Sequence, residues 1–391
     1  MEHITPEQIT DACKIRVESY RFIAWYNNIF KFDPLFTDMS SVTEGSPYHR
    51  ETSVAIHTDM VVQQYLSSDG FASSKNMLLG AFAAVFHDVG KPHACEEKYS
   101  ESRGQYYSFN GHEPISARLW EDYAIRNWST LVELFDFNLF DGYAIGWMIE
   151  YHLPWGIKNP DKLDSIARTT KHYGFTKPYG EFLMADNLGR ISDPSTARHK
   201  DGLSWVFELH YRCSTLDTSE TAAWSTSDKI LFVPIGASGT GKTTSFTEIQ
   251  ERYVDNNPRV FSLDILRHYW YDAADYSNAW RLSCDDKNFK QRWQAHFHQM
   301  LTDGGVLYID NLNLSKKSRR FFIAAARQQG FKVVAIISPV DIGTVIERQN
   351  TRTDKYLSPP IVREQYMRMQ YPSLGEFDDI IIRDNNLSKT E

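Results

Sequence analysis

The sequence predicts a multidomain chain, with an all-α domain followed by an α/β domain built on a parallel sheet. Three observations predict it. From Ile4 to about Cys213 apolar residues recur at helical spacing and strand signals are few. Beyond residue 228 short β-branched runs alternate with helical stretches, the pattern that βαβ crossovers require. The first of those runs leads straight into a glycine-rich loop that opens a helix. A length of 391 residues also exceeds what one hydrophobic core organises. The expected division is residues 1–213, a linker at 214–228, and residues 229–391.

In chain order, Thr5-Pro6-Glu7-Gln8 reads as a helix start, with Thr5 as N-cap, Pro6 as first helical residue and Gln8 closing a capping box. The charges Asp11, Lys14 and Arg16 in the following helix are wrong for a secretory signal. Between Met77 and Phe86, residues Leu78, Leu79, Phe82, Val85 and Phe86 sit at intervals suited to one buried helix face. Val132–Tyr151 and Glu181–Ile191 read likewise. The stretch from Ser214 to Asp228 is rich in Ser and Thr without periodicity, which marks the linker. Ile230–Ile235, Val260–Leu263, Val306–Ile309 and Val333–Ile337 then read as strands.

Composition narrows the class. An apolar fraction of 42% and a charged fraction of 24% suit a globular protein, and no apolar run approaches the roughly 20 residues needed to span a bilayer. Cys13, Cys95, Cys213 and Cys284 are scattered and form no CxxC pair. That argues against a disulfide framework or cysteine zinc site and points to a reducing cytoplasm. A formal charge of −8 argues against bulk coating of nucleic acid, while leaving room for a small basic groove.

The strongest chemical signal is Gly236-Ala237-Ser238-Gly239-Thr240-Gly241-Lys242-Thr243, with Thr244 following in the helix. The glycines let backbone N–H groups turn inward around phosphate oxygens, and the helix start adds its positive dipole. Lys242 supplies a point charge and the Thr243 hydroxyl can hold Mg²⁺. Such a pattern arises by chance in about one chain in a hundred of this length, fewer still between a strand and a helix. Phosphoryl transfer also needs an aligned, deprotonated hydroxyl. Asp264 ends the next strand, at the rim where α/β sheets bind ligands, and its carboxylate suits a general base. Arg267 is placed to hold an anionic substrate group.

This half resembles the 5′-hydroxyl polynucleotide kinases of phages and bacterial RNA-repair enzymes. The resemblance rests on Ser262-Leu263-Asp264-Ile265-Leu266-Arg267, on Asp310-Asn311-Leu312-Asn313 after a later strand, and on Arg348-Gln349-Asn350-Thr351-Arg352 as a lid helix. It implies ATP and Mg²⁺ as cofactors, Asp264 as base and Arg267 on the substrate phosphate. It also implies Arg348 and Arg352 on the ATP phosphates, and Asp310 near the metal or loop. The family often carries an acidic or basic residue just before the base, where this chain has Leu263, a departure that bears on substrate preference.

In the helical half, the dipeptide His87-Asp88 alone carries little, since roughly one such pair arises by chance among 13 histidines. The informative set is His57, His87-Asp88, His112, His152 and Asp186, each beside a helical segment. A helical bundle can project such groups into one interior pocket. Imidazole and carboxylate together suit Mn²⁺, Co²⁺, Ni²⁺ or Zn²⁺, and two metals sharing Asp88 would polarise a phosphate ester and generate hydroxide. The spacing resembles the HD-domain phosphohydrolases. That resemblance implies His57, His87, Asp88 and Asp186 on one metal, with His112, His152 and bridging Asp88 on a second. Lys91 is expected to meet a phosphate oxygen, and Arg190, one helical turn beyond Asp186, to face the same pocket. His3, His49, His93, His172, His199 and His210 fall outside the pattern and take ordinary structural roles.

Together the halves resemble bifunctional end-healing enzymes that join an HD phosphoesterase to a 5′-kinase. Such enzymes remove a 2′,3′-cyclic, 2′- or 3′-phosphate and phosphorylate a 5′-hydroxyl. The partners implied are RNA or DNA ends and a downstream ligase, with no membrane. Two other readings stand beside it: a nucleoside or sugar kinase fused to a nucleotide phosphohydrolase, and an ATP-gated nucleic-acid sensor without turnover.

Overall fold

In a computed structural model of the chain the described residues are 6–44, 49–68, 71–101, 104–154, 157, 159–191, 198–216, 227–271, 275–352 and 356–384. They fall into two compact units, Met1–Leu216 and Asp217–Glu391. The fold class is the predicted one, helical first and α/β second. No described helix is long and apolar enough to cross a membrane.

The first unit comprises α1 (Pro6–Asn28), α2 (Pro34–Ser40), α3 (Val54–Leu66), α4 (Ser74–Phe86) and α5 (Lys91–Ala94), then strands β1 (Glu96–Ser100) and β2 (Gly104–Ser108). After these come α6 (His112–Arg126), α7 (Trp128–Phe135), α8 (Leu139–Glu150), α9 (Pro160–His172), α10 (Thr176–Leu188) and α11 (Arg198–Thr215). Helix α4 is the core of this unit. The spacing suggested one buried face, yet every residue from Met77 to Phe86 is buried. Small residues make this possible: a Cβ on Gly80 would overlap the Tyr65 side chain, so only glycine lets α3 approach. Around it, Phe22, Trp25, Phe30, Phe82 and Phe86 interlock with ring centroids 4.6 to 5.7 Å apart.

Several local expectations change. Val132–Tyr151 is two helices, because Asp136 adopts φ 52° and Asn138 starts α8 with a capping box to Asp141. The Glu181–Ile191 segment belongs to α10, which starts at Thr176 and ends at Leu188. Ser214 and Thr215, expected in the linker, continue α11, while residues 217–226 lie outside the described residues. The Thr5 cap lies outside them too. The antiparallel hairpin of β1 and β2 was not foreseen, since its residues are polar on both faces and carry no apolar alternation.

The second unit comprises β3 (Ile230–Ile235), α12 (Lys242–Arg252), β4 (Arg259–Phe261), α13 (Leu263–Tyr271), α14 (Tyr276–Asp285) and α15 (Phe289–Thr302). It continues with β5 (Val306–Ile309), α16 (Lys316–Gln328), β6 (Lys332–Ile337), α17 (Ile342–Asn350), α18 (Pro359–Met367) and β7 (Asp379–Ile382). The five strands pair in parallel in the order β4-β5-β3-β6-β7. All six residues of β3 are buried, as a central strand covered on both faces must be. The loops after β3, β4 and β5 therefore converge on the carboxyl edge of the sheet. Strand β4 ends at Phe261 rather than Leu263, because the Ser262 hydroxyl accepts from Ile265 N at 3.4 Å and starts α13. Strand β7 escaped the sequence reading.

Arg319 of α16 is fully buried in this unit. Its guanidinium donates to Glu376 at 2.6 and 2.9 Å and to the carbonyls of Asn313, Leu314 and Gln370 at 3.2 Å. Replacing it with methionine strands a carboxylate and three carbonyls, so Arg319→Met is expected to destabilise the unit by about 3–5 kcal/mol. Urea unfolding checks this, and adding Glu376→Gln should recover part of the loss.

Candidate active sites

The helical unit brings the six predicted ligands into one cluster. His57 sits in the first turn of α3, His87 caps the carboxyl end of α4, and Asp88 lies in the turn before α5. His112 opens α6, His152 follows α8 by two residues, and Asp186 projects from α10. Asp88 divides its oxygens between two histidine pairs. Oδ2 lies 3.0 Å from His87 Nε2 and 3.6 Å from His57 Nε2. Oδ1 lies 3.0 Å from His112 Nε2 and 3.7 Å from His152 Nε2. Asp186 Oδ1 stands 3.2 Å from His57 Nε2 and 3.7 Å from His87 Nε2.

The tautomers suit metal ligation. Nδ1 of His87, His112 and His152 lies 2.9, 2.8 and 2.7 Å from the carbonyls of Ala84, Phe109 and Ile149. A carbonyl only accepts, so Nδ1 carries the proton and Nε2 turns its lone pair inward. The facing Nε2 atoms are 3.3 Å apart for His57 and His87 and 3.2 Å for His112 and His152. Nitrogens each about 2.0–2.1 Å from one ion have about this separation. The donor sets His57, His87, Asp88 and Asp88, His112, His152 therefore fit divalent metals, and the shared carboxylate fits a pair of them.

Electrostatics follows from burial among opposite charges. Burial opposes charge on Asp88, but His87 and Lys91 hold its carboxyl well below the usual range. Burial and the neighbouring His112 and His87 push His152 down to about 4, leaving it neutral. His57 goes the other way: burial would lower it, but hydrogen bonds to Asp186 and Glu51 raise it to about 10. A metal arriving at His57 Nε2 must expel that proton, so binding releases H⁺.

Lys91 does not reach into the pocket uncommitted. Its ammonium lies 2.7 Å from Asp88 Oδ2 and also pairs with Glu44, whose carboxyl is lowered to about 2 by Lys91 and His49 against the effect of burial. Arg190 lies beyond the end of α10, donates to Asn187 Oδ1 at 2.5 Å and lines the same cavity of about 260 Å³. His49, read from sequence as ordinary, belongs to the cluster: its ring centroid is 4.8 Å from that of His57 and its Nδ1 is 2.9 Å from Glu44 Oε2. Buried Glu51 backs His57, with Oε1 3.3 Å from Nδ1 and 3.0 Å from Ile191 N. Glu44, His49 and Glu51 carried no signal in the sequence, since no local word or spacing sets them apart.

Gly90 holds the His87-Asp88 turn against α6. A Cβ there would lie 2.5 Å from His112 O and 2.6 Å from Ser116 N. Gly90→Ala is expected to cost at least about 1–3 kcal/mol by overpacking, seen as a lower denaturation midpoint of the helical unit.

In the second unit the loop after β3 and the residues after β4 and β5 line one cleft of about 1250 Å³. Ser238, Gly239, Gly241, Lys242, Thr243, Thr244, Asp264, Arg267, Asp310, Arg348 and Arg352 all face it. Gly236, Ala237 and Thr240 form the buried floor of the loop. A side chain on Gly236 would overlap Thr240, and Gly239 and Gly241 adopt φ 98° and 87°, conformations that favour glycine. Lys242 Nζ donates to the carbonyls of Gly236 and Ala237 at 3.1 and 2.7 Å. Arg348 reaches Gly239 O at 3.0 Å, and Arg352 reaches Ser238 Oγ at 2.9 Å. Helix α17 ends at Asn350, so Arg352 lies beyond it rather than one turn along a continuous helix.

Asp264 stands in the first turn of α13, not at the strand end. Its Oδ1 accepts from Arg267 Nη1 at 2.7 Å and from the Tyr276 hydroxyl at 2.9 Å. Burial and that carboxylate push the Tyr276 phenol well up, so it stays a donor. Arg267 was expected on a substrate phosphate; here its Nε also donates to Ser283 Oγ at 3.1 Å and its plane lies over Trp280. These contacts hold the guanidinium beside the Asp264 carboxylate. Asp310 lines the cleft and its amide donates to Phe261 O at 2.8 Å, tying β5 to β4. Sequence reasoning missed Tyr276, Trp280 and Gln365, whose Oε1 accepts from Ser238 N at 3.1 Å.

Residues 231–372 match a family model described as an AAA domain. Among 28 matching solved chains is a gluconokinase from Sinorhizobium meliloti 1021, 18% identical, covering 41% of this chain and 87% of that one with a TM-score of 0.30. No curated protein sequence matches the chain. The carboxyl-terminal unit is an α/β P-loop domain, for which ATP and Mg²⁺ are the ligands its loop implies. The buried histidine–aspartate cluster of the helical unit can bind metal.

Proposed function

We propose that the protein heals broken nucleic-acid ends, using the P-loop unit to phosphorylate a 5′-hydroxyl and the helical unit to remove a 2′,3′-cyclic, 2′- or 3′-phosphate. The observation that carries the first half is that the phosphate loop and an oriented, partly exposed carboxylate share one cleft. ATP with Mg²⁺ supplies the phosphoryl group and neutralises charge on it when bound. Backbone N–H groups of the loop and Lys242 hold the phosphates, and Thr243 offers its hydroxyl to the metal. Arg348 and Arg352, now on loop oxygens, lie where they can turn to the transferred group. Arg267 and Tyr276 aim the Asp264 carboxylate, which would take the proton of the acceptor hydroxyl as its oxygen bonds to the γ-phosphorus and the β–γ phosphoanhydride bond breaks, with ADP leaving.

For the second half, divalent metals on the split carboxylate of Asp88 would supply phosphate polarisation and a hydroxide near neutral pH. Glu51 and the backbone carbonyls keep the imidazoles turned toward the site. Lys91 and Arg190 balance the charge of an incoming phosphate ester. A chain carrying both sites converts a 5′-hydroxyl and a blocked 3′ end into the ends that a ligase joins.

Incubation with ATP, Mn²⁺ and an oligonucleotide bearing a 5′-hydroxyl and a 3′-phosphate should convert both ends. Phosphorylation of nucleosides or sugars without action on the oligonucleotide would replace this reading with a small-molecule kinase. Binding of both ligands without turnover at either end would make the chain a sensor.

A further inference from the structure

Trp280 stands in the kinase cleft with 47% of its surface exposed. It is not left outside by a helix that fails to pack, because Ala279 and Ser283 of the same helix α14 are buried. One face of the indole is already backed. The Arg267 guanidinium lies 4.2 Å from its ring centroid. That guanidinium is the one that donates to Asp264 at 2.7 Å and to Ser283 at 3.1 Å. Tyr276, one turn earlier on α14, has its ring centroid 6.3 Å from Trp280 and donates to the same Asp264 oxygen at 2.9 Å. The ring and the carboxylate are thus held in one unit, two contacts apart through Arg267.

We propose that Trp280 is the stacking platform for the base of the acceptor's terminal nucleotide, so that the kinase site takes base-bearing acceptors rather than bare sugars. The proposal rests on the reading of this unit as a 5′-hydroxyl kinase. A flat, electron-rich face suits any base without selecting sequence, because every base has a π-face and stacking needs no hydrogen-bond readout. A cation behind the ring fixes its orientation and adds to its attraction for the aromatic plane. A nucleotide whose 5′-oxygen meets Asp264 carries its base on the same sugar, within the reach of a group bound to Asp264 through a single arginine.

The test uses the full chain with ATP and Mg²⁺ and two oligonucleotides that differ only at the 5′ residue, one with a base and one abasic. Wild type should show kcat/KM about tenfold or more in favour of the base-bearing end, the range that base–aromatic stacking confers. Trp280→Leu should collapse that preference toward unity, and Trp280→Phe should keep most of it. Equal use of both ends by wild type, or an unchanged preference in Trp280→Leu, overturns the platform while leaving the kinase reading intact. Phosphorylation of neither oligonucleotide overturns both.

Discussion

Asp264→Asn should lower 5′-phosphoryl transfer by about 10²- to 10⁴-fold, the contribution of a positioned general base. The amide keeps the size of the side chain and one oxygen for Arg267 and Tyr276, so the loss reports proton acceptance rather than collapse of the cleft. Lys242→Ala should be at least as severe, because it removes the point charge from a loop whose other contacts are backbone dipoles. Arg267→Ala acts through the same carboxylate. It should therefore reduce kcat for long and short acceptors alike, whereas a direct phosphate contact would penalise the long ones more. Transfer of labelled γ-phosphate to a 5′-hydroxyl oligonucleotide measures all three. Removal of the 3′-phosphate by the same preparations should persist and shows that the chain is folded. Strong transfer by Asp264→Asn would end the assignment of this carboxylate.

Asp88→Asn should abolish the 3′-end reaction, with a loss of at least about 10²-fold, beyond the 10- to 100-fold typical of groups that only support a metal ligand. The carboxylate addresses both histidine pairs at once, with 3.0 Å contacts to His87 and His112, so neither metal keeps its shared ligand. After reconstitution with Mn²⁺ and desalting, metal content should fall from about two per chain toward zero. Chelation of the wild type followed by Mg²⁺ should mimic this, sparing the kinase and silencing the phosphoesterase. Full metal content in the variant would show that the cluster is held by something other than the shared aspartate. Glu51→Gln makes a gentler companion, since it leaves the ligand set complete and alters only the group behind His57.

Both sites were legible to different depths. The phosphate loop is contiguous, so its eight residues declare their geometry in one stretch: glycines where φ is positive, lysine and threonine at the helix start. The clustered histidines and aspartates are scattered between His57 and Asp186, yet their order and their place beside helical segments marked them. What stayed hidden was everything held in place by another element. His49 looked ordinary because its partners, Glu44 and His57, identify it only once a turn folds α3 against it. Arg267 looked like a substrate contact because its spacing from Asp264 suits either role. Only the packing of α14 shows its guanidinium spread over Trp280 and bonded to Ser283.

By itself the sequence determined the order of the two fold types, the strand that feeds the phosphate loop, and the identity of the six groups that gather in the helical unit. Periodicity and backbone permissiveness act over a few residues, so they can be read along a line. Tertiary structure alone decided that α4 is buried on all sides, that a polar hairpin lies between α5 and α6, and that an exposed indole shares a cleft with Asp264. Those outcomes depend on which distant side chains meet, and pairwise contact energies between such residues leave no trace in local spacing.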